Sequence, residues 1–330
     1  MKKWLFIGVV VVGGLVWWRV DRERVERTGQ LVLQTGRFRV TPETPGYENY
    51  QKLSQGCPVR DCIPALTAPK LETVEAASRW LRDDEIVFGL DYKGEQRAYP
   101  QKILNWHEIV NDNMGGDPIG ISFCPLCGSA LGFDRRVEGK TLTFGVSGKL
   151  HNSDLVMYDK ETESLWQQIT LEAIVGELLG SKLTPMVVDT MRWKQWRETF
   201  PQTKVLSRET GYQRDYESYP YGDYESSREV YFPVERGVDE EIHPKTVVYG
   251  IVVGGEAKAY PLEQIETETR DDGVLIDTLG GQRLRLSYSR GEVAVENLKT
   301  REQVMPTRLF WFAWKAFYPE TQLYEMKGGE

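Results

Sequence analysis

The sequence predicts an α+β fold, mainly β, made of two diverged copies of one β-rich unit with short helices, the first copy enlarged by an insertion. Three observations predict it. Two pairs of segments match across the chain in the same order. Strand-like alternation survives in both members of a further pair. Ten tryptophans and sixteen tyrosines in 330 residues suit aromatic-rich sheets better than disorder.

The first match sets residues 89–100 against residues 250–261 without gaps, each ending in Ala-Tyr-Pro (Ala98-Tyr99-Pro100 and Ala259-Tyr260-Pro261). Each reads as a strand, a turn at Gly94 or Gly254-Gly255, and a returning strand. Proline then opens a short helix, where its missing N–H costs nothing. The second match pairs Trp193, Trp196 and Phe200-Pro201 with Trp311, Trp314 and Tyr318-Pro319. Both predict an amphipathic helix ended by proline, with tryptophans at i and i+3 packed on the sheet. Either match alone is within reach of chance, but two in order make duplication the better account. Residues 115–124 also align with residues 280–289 as alternating strands.

Residues 71–81 predict a helix, and residues 20–82 otherwise read as a stalk and an extended segment. The first repeat then covers 83–210, a Tyr-rich connecting loop 211–245, and a second, degenerate repeat 246–330. The loop reads as surface chain with rings as packing points, or as an aromatic segment facing a ligand.

Ahead of the stalk, residues 1–19 form an anchor or signal segment. Lys2 and Lys3 precede an apolar run over residues 4–18, closed by Arg19. Such a run fits a signal-anchor or the core of a signal peptide. Trp4, Trp17 and Trp18 sit at its ends, where amphipathic rings prefer the membrane interface. No Ala-x-Ala-like site follows, which favours an uncleaved, single-pass anchor. Either reading places the bulk of the chain outside the cytoplasm, in the periplasmic cell envelope. The formal net charge of -8, without a basic stripe, argues against nucleic acid as a partner. The membrane is the expected partner through residues 4–18.

The copies differ in their chemistry. Cys124 aligns with Ser289, Cys127 has no counterpart, and His107 falls at Glu268. Residues needed for folding alone should persist in both copies, so the loss points to function. Cys124-Pro-Leu-Cys127-Gly128 follows a strand, and two thiols at this spacing can chelate one metal in a tight knuckle. The same spacing serves dithiol exchange, but residues 128–133 read as strand or turn and supply no helix N-terminus to lower a thiol pKa. A structural disulfide and a Cys-His nucleophile are further readings. His107 falls on the helix opened by Pro100, on a face shared with Ile103 and Val110. A lone histidine there is usually a satisfied core residue. A short connection to the cysteine strand instead brings it within reach of the thiols. His107, Cys124 and Cys127 then suit one copper or zinc ion, with a fourth position left for water, Met157, His151 or a substrate.

Cys57 and Cys62 favour a local disulfide in an oxidising compartment. Pairing with Cys124 or Cys127, or a four-thiolate zinc site, are the alternatives. Ser147 lacks a nucleophile-elbow frame and reads as packing. Trp166 and Gln168 are candidates to line the pocket or simply to pack.

Together the strings Trp106-His-Glu-Ile-Val-Asn-Asp112, Cys124-Pro-Leu-Cys-Gly-Ser129, Phe144-Gly-Val-Ser-Gly148 and Asp154-Leu-Val-Met-Tyr-Asp159, with Ala98-Tyr-Pro100 and Ser164-Leu-Trp166, resemble the family called domain of unknown function 3179. The resemblance runs from about Ile63 to Trp196 and more loosely to the end. It implies an exported or anchored protein and a site at His107, Cys124 and Cys127, but no particular reaction. His151 and the Cys57/Cys62 pair depart from the pattern. The expected function is an anchored extracytoplasmic protein that binds copper or zinc. Its rivals are a thiol–disulfide oxidoreductase using Cys124 and Cys127, and a non-catalytic envelope scaffold.

Overall fold

The structure, a computed structural model, describes residues 38–269, 273–289 and 292–325. The apolar run at residues 4–18 and the anchor expected of it lie outside the described residues. Among the described residues, no helix is long and apolar enough to cross a membrane.

Among the described residues the alternating segments form strands in five sheets of four or five strands, plus a small two-stranded ribbon. The sheets stand as the blades of a five-bladed, propeller-like ring. Among the described residues six helices intervene: α1 (Tyr47–Lys52), α2 (Val74–Ala77), α3 (Gln101–His107), α4 (Trp193–Thr199), α5 (Leu262–Glu268) and α6 (Trp311–Phe317).

Blade 1 has the order Asp189–Arg192, Ile86–Tyr92, Glu95–Pro100, Lys204–Leu206, Leu71–Thr73. Blade 2 has Thr184–Met186, Ser129–Asp134, Asp117–Cys124, Ile109–Met114, Leu66–Thr67. Blade 3 has Ser54–Gln55, Phe144–His151, Asp154–Asp159, Leu165–Gln167, Glu172–Val175. Blade 4 has Thr307–Phe310, Val247–Val253, Glu256–Pro261, Gln322–Leu323. Blade 5 has Val274–Leu279, Gln282–Ser289, Glu292–Asn297, Gln303–Val304.

The segments matched in the sequence occupy equal places in blades 1 and 4. Gly89 pairs with Ala98 and Phe88 with Tyr99, as Gly250 pairs with Ala259 and Tyr249 with Tyr260. The Tyr99 hydroxyl donates to Asp112, which Arg97 also engages, as Tyr260 and Lys258 engage Asp277. Trp196 of α4 and Trp314 of α6 lie flat on these glycines. A Cβ on Gly89 would stand 2.2 Å from Trp196 Cζ3, and one on Gly250 2.2 Å from Trp314 Cε3. Gly89→Ala is therefore expected to destabilise the chain by about 1–3 kcal/mol through overpacking. A urea midpoint unchanged from wild type would contradict that.

The chain between the strand Ser129–Asp134 and the Trp helix forms the ribbon and four of the five strands of blade 3. They enter between Ser129–Asp134 and Thr184–Met186, where blade 5 passes directly from Glu292–Asn297 to Gln303–Val304.

Two local expectations are corrected. Residues 71–81 do not form one helix. Leu71–Thr73 pairs with Lys204–Leu206, and only Val74–Ala77 is helical, capped by the Thr73 hydroxyl accepting from Ala76 N at 3.3 Å. The helix after Pro100 ends at His107, so Val110 lies on the next strand and not on the same helical face.

The largest buried cluster joins blades 2, 3 and 4 and contains Cys124, Cys127, Phe144, Trp166, Tyr224, Phe310 and Trp311. The candidate thiols thus sit where several blades meet.

Candidate functional site

The strand Asp117–Cys124 delivers the cysteines. After it, Cys127 N donates to Cys124 O at 3.2 Å, closing a tight turn. Gly128 leaves the turn at φ +63°, a left-handed conformation that glycine adopts without strain, and a Cβ there would stand 3.0 Å from the Phe310 ring. The turn is pinned on two sides. Phe310 N donates to Cys127 O at 2.8 Å. Ser129 Oγ donates to Gln168 Oε1 at 2.9 Å, and Gln168 Nε2 returns to Ser129 O at 3.2 Å. Gln168 therefore holds the turn, and Trp166 is a packing residue whose indole donates to Asp159 at 2.9 Å.

Cys124 and Cys127 are free thiols, 2% and 0% exposed. The disulfide joins Cys57 and Cys62, whose Cα atoms are 6.4 Å apart. Beside the two thiols lies Asp154, at the start of the second strand of the blade 3 hairpin. One oxygen of Asp154 and both sulfurs lie within 4.8 Å of one another. Asp154 Oδ2 accepts from Ile169 N at 3.1 Å and from the Gln167 amide. Asp154 Oδ1 is buried without a nitrogen or oxygen partner. Cys127 Sγ also lies 3.4 Å from Ser153 O.

His107 is not part of this cluster. Its Nδ1 meets Pro64 O at 2.7 Å and its Nε2 meets the Tyr216 hydroxyl at 2.7 Å. Tyr212 and Tyr216 stand against the ring at centroid distances of 5.5 and 5.8 Å. Burial pushes the imidazole down to about 4, so it is neutral and satisfied. Among the described residues the thiols group with Asp154 and not with the expected His107, whose ring is turned toward the Tyr-rich segment. Met157 is buried among core residues, and Ser147 donates to Val156 O as a packing residue.

The Tyr-rich segment lies across the site without helix or strand. Tyr216 reaches His107, and the Tyr221 hydroxyl donates to Glu108 Oε1 at 3.2 Å. Lys245 clamps the segment, donating to the carbonyls of Tyr224, Ser227 and Glu229, with its ammonium 3.4 Å from the Tyr224 ring centroid.

Burial dominates the electrostatics. It raises the pKa of both thiols, pushes Asp154 up to about 6 and Glu108 up to about 8, and lowers Lys245 to about 8. Without a counter-ion the thiols stay protonated at neutral pH and react poorly as nucleophiles. Glu108 was not singled out in the sequence, although it follows His107 directly. It stands at φ +56° at the end of α3, and its carbonyl accepts from Phe123 N, beside Cys124, at 2.7 Å.

A mainly β ring with a buried Cys-x-x-Cys turn and an adjoining carboxylate defines the class of protein. The family model described as protein of unknown function (DUF3179) matches residues 60–308, and the chain belongs to that family. No curated protein and no solved structure matches the chain.

Proposed function

We propose that this is a membrane-anchored extracytoplasmic protein whose ring holds one transition-metal ion, zinc or copper, between Cys124, Cys127 and Asp154. The observation that carries the proposal is the buried Asp154 carboxyl grouped with two thiols, its Oδ1 without a nitrogen or oxygen donor. A buried acceptor that only weak thiol donors can reach is costly, and a cation beside it and two thiolates would remove that cost. Metal binding would displace the thiol protons that burial otherwise retains. The buried Tyr224 side chain sits in the same cluster as both thiols.

Thiol–disulfide exchange gains less support, because both sulfurs are buried and their pKa values are raised. Metal analysis of the purified chain after loading and desalting tests the reading. Near-stoichiometric zinc or copper is expected in wild type and in His107→Ala, with loss in Cys124→Ser and in Cys127→Ser. Metal-free wild type with a Cys124–Cys127 disulfide and a measurable two-electron potential would favour exchange instead.

The shared registers of blades 1 and 4 support descent of residues 83–210 and 246–330 from one duplicated unit. On that view the site belongs to the inserted blade and to the turn it covers.

A further inference from the structure

We propose that residues 212–236 form a hinged strap over Cys124 and Cys127 and that Lys245 latches it, so that the thiols meet solutes when the latch lets go while the ring stays folded. Access is read on metal-free protein, and the outcome does not depend on whether the thiols take a metal.

The strap is held unlike the rest of the chain. Residues 212–236 join no sheet and no helix, so no backbone ladder ties them to a blade. A stretch of this length without secondary structure is more often a lid or binding loop than a plain connection. Tyr216 and Tyr221 reach inward, to His107 and Glu108. The other ties lie at the surface, where water can replace either partner. Lys102 Nζ donates to Glu217 at 2.9 Å, and Trp106 Nε1 to Ser218 O at 3.3 Å. At the far end Glu235 Oε1 lies 3.1 Å from His151 Nε2. Gly211 and Gly237 bracket the strap at φ +86° and +80°, and a Cβ on either would meet nothing within 4 Å. The chain can swing at such positions without unpacking a neighbour.

What the strap covers is the thiol cluster. Tyr224 is fully buried in the cluster that holds Cys124 and Cys127, and Tyr221, Val230 and Phe232 pack against it while staying partly exposed. Lys245 stands outside the hinges and belongs to the ring. Trp311 N donates to Thr246 O at 2.8 Å and Phe312 N to Pro244 O at 3.0 Å, so the start of α6 fixes the backbone on both sides of it. Its side chain crosses to the strap. Nζ donates to Tyr224 O at 3.1 Å, Ser227 O at 3.2 Å and Glu229 O at 2.7 Å, which uses all three of its protons. Among the described residues no carboxylate pairs with this buried ammonium. Its acceptors all lie on one turn of the strap, itself closed by Tyr224 N to Tyr221 O at 3.2 Å and Ser227 N to Asp223 O at 3.0 Å.

An ammonium in a cup of carbonyls suits a latch. Closed, its bonds are charge-assisted and strong. Opened, the ammonium and the carbonyls return to water, which offsets most of what the bonds contributed. A strap held by a large apolar plug would gain nothing of that kind on leaving. The blades keep their ladders and separate cores throughout, so opening is a local event.

Iodoacetamide labelling of the reduced, chelator-treated full chain in detergent, read peptide by peptide, tests the latch. In wild type, Cys124 and Cys127 are expected to label slowly, at a rate that depends only weakly on urea below the unfolding transition, because local opening exposes little surface. Lys245→Met, which keeps an unbranched side chain without the charge, is expected to speed that labelling by ~10–100-fold, with the urea dependence still weak. Lys245→Arg keeps the charge and the donors and should stay closer to wild type. Wild-type labelling with the full urea dependence of global unfolding, measured by tryptophan fluorescence, overturns the proposal, as does labelling at the rate of a free thiol. An unchanged rate in Lys245→Met overturns it too. So does a faster rate in that variant that carries the global urea dependence, because Lys245 would then hold the whole ring and not the strap.

Discussion

Replacing Trp196 with alanine is expected to lower the free energy of unfolding by about 3–5 kcal/mol, and Trp314→Ala by a similar amount. Each indole is fully buried between a seven-residue helix and a glycine of the adjoining strand. Each also donates to a threonine hydroxyl, Trp196 to Thr203 at 3.0 Å and Trp314 to Thr321 at 2.7 Å. Removing the ring leaves a cavity that the stiff strand cannot fill and takes a partner from a buried hydroxyl. Phenylalanine would restore part of the packing but not the hydrogen bond, so Trp196→Phe should fall between wild type and alanine. Urea unfolding checks the series. A loss below about 1 kcal/mol for either alanine variant would show that the indole does not set the helix-to-sheet spacing.

The pattern around these tryptophans was legible because it is local. Ala-Tyr-Pro, the glycine across the hairpin and the Trp pair each lie within one strand or one helix, and strand alternation fixes which face they share. The number of blades was not legible. Blade 2 closes with Leu66–Thr67 in parallel pairing to residues near Val110, and blade 3 takes Ser54–Gln55 as an edge strand. These are short pairings set by distant chain, and no period in the sequence announces them. Residues 71–81 misled for a related reason. Leu71–Thr73 is drawn into an edge strand by Lys204–Leu206, and this tertiary pairing overrides helical pattern.

The cysteine turn was legible from spacing and from the glycine that follows it. Its third partner was not. Asp154 lies far along the chain, and only the Asn152-Ser153 hairpin turn carries it back beside the thiols. His107 was drawn to the site by its closeness in sequence, yet the chain turns sharply at Glu108 and its ring is taken up by Pro64 and Tyr216. Chain proximity fixed the neighbourhood but not the direction of the side chain.

That sharp turn leaves a buried acid whose titration should be visible in stability. Glu108 is pushed up to about 8 by burial, against about 4.3 for a free glutamate. Between these values the folded state holds a proton that the unfolded state has released. The slope of unfolding free energy with pH is therefore negative there, up to about 1.4 kcal/mol per pH unit for one proton. The stability from this group is complete below about pH 4 and is lost as pH rises through about 8. Asp154, pushed up to about 6, adds a slope of the same sign at lower pH. Glu108→Gln keeps the side-chain shape and an oxygen for the Tyr221 hydroxyl, and it removes the titration. In chelator-treated protein, the variant should gain on wild type by a few kcal/mol between pH 5 and pH 9. Urea midpoints across that range decide the matter. Parallel curves for variant and wild type would mean that Glu108 ionises without cost in the folded chain, and hence that water reaches a carboxyl the packing holds dry.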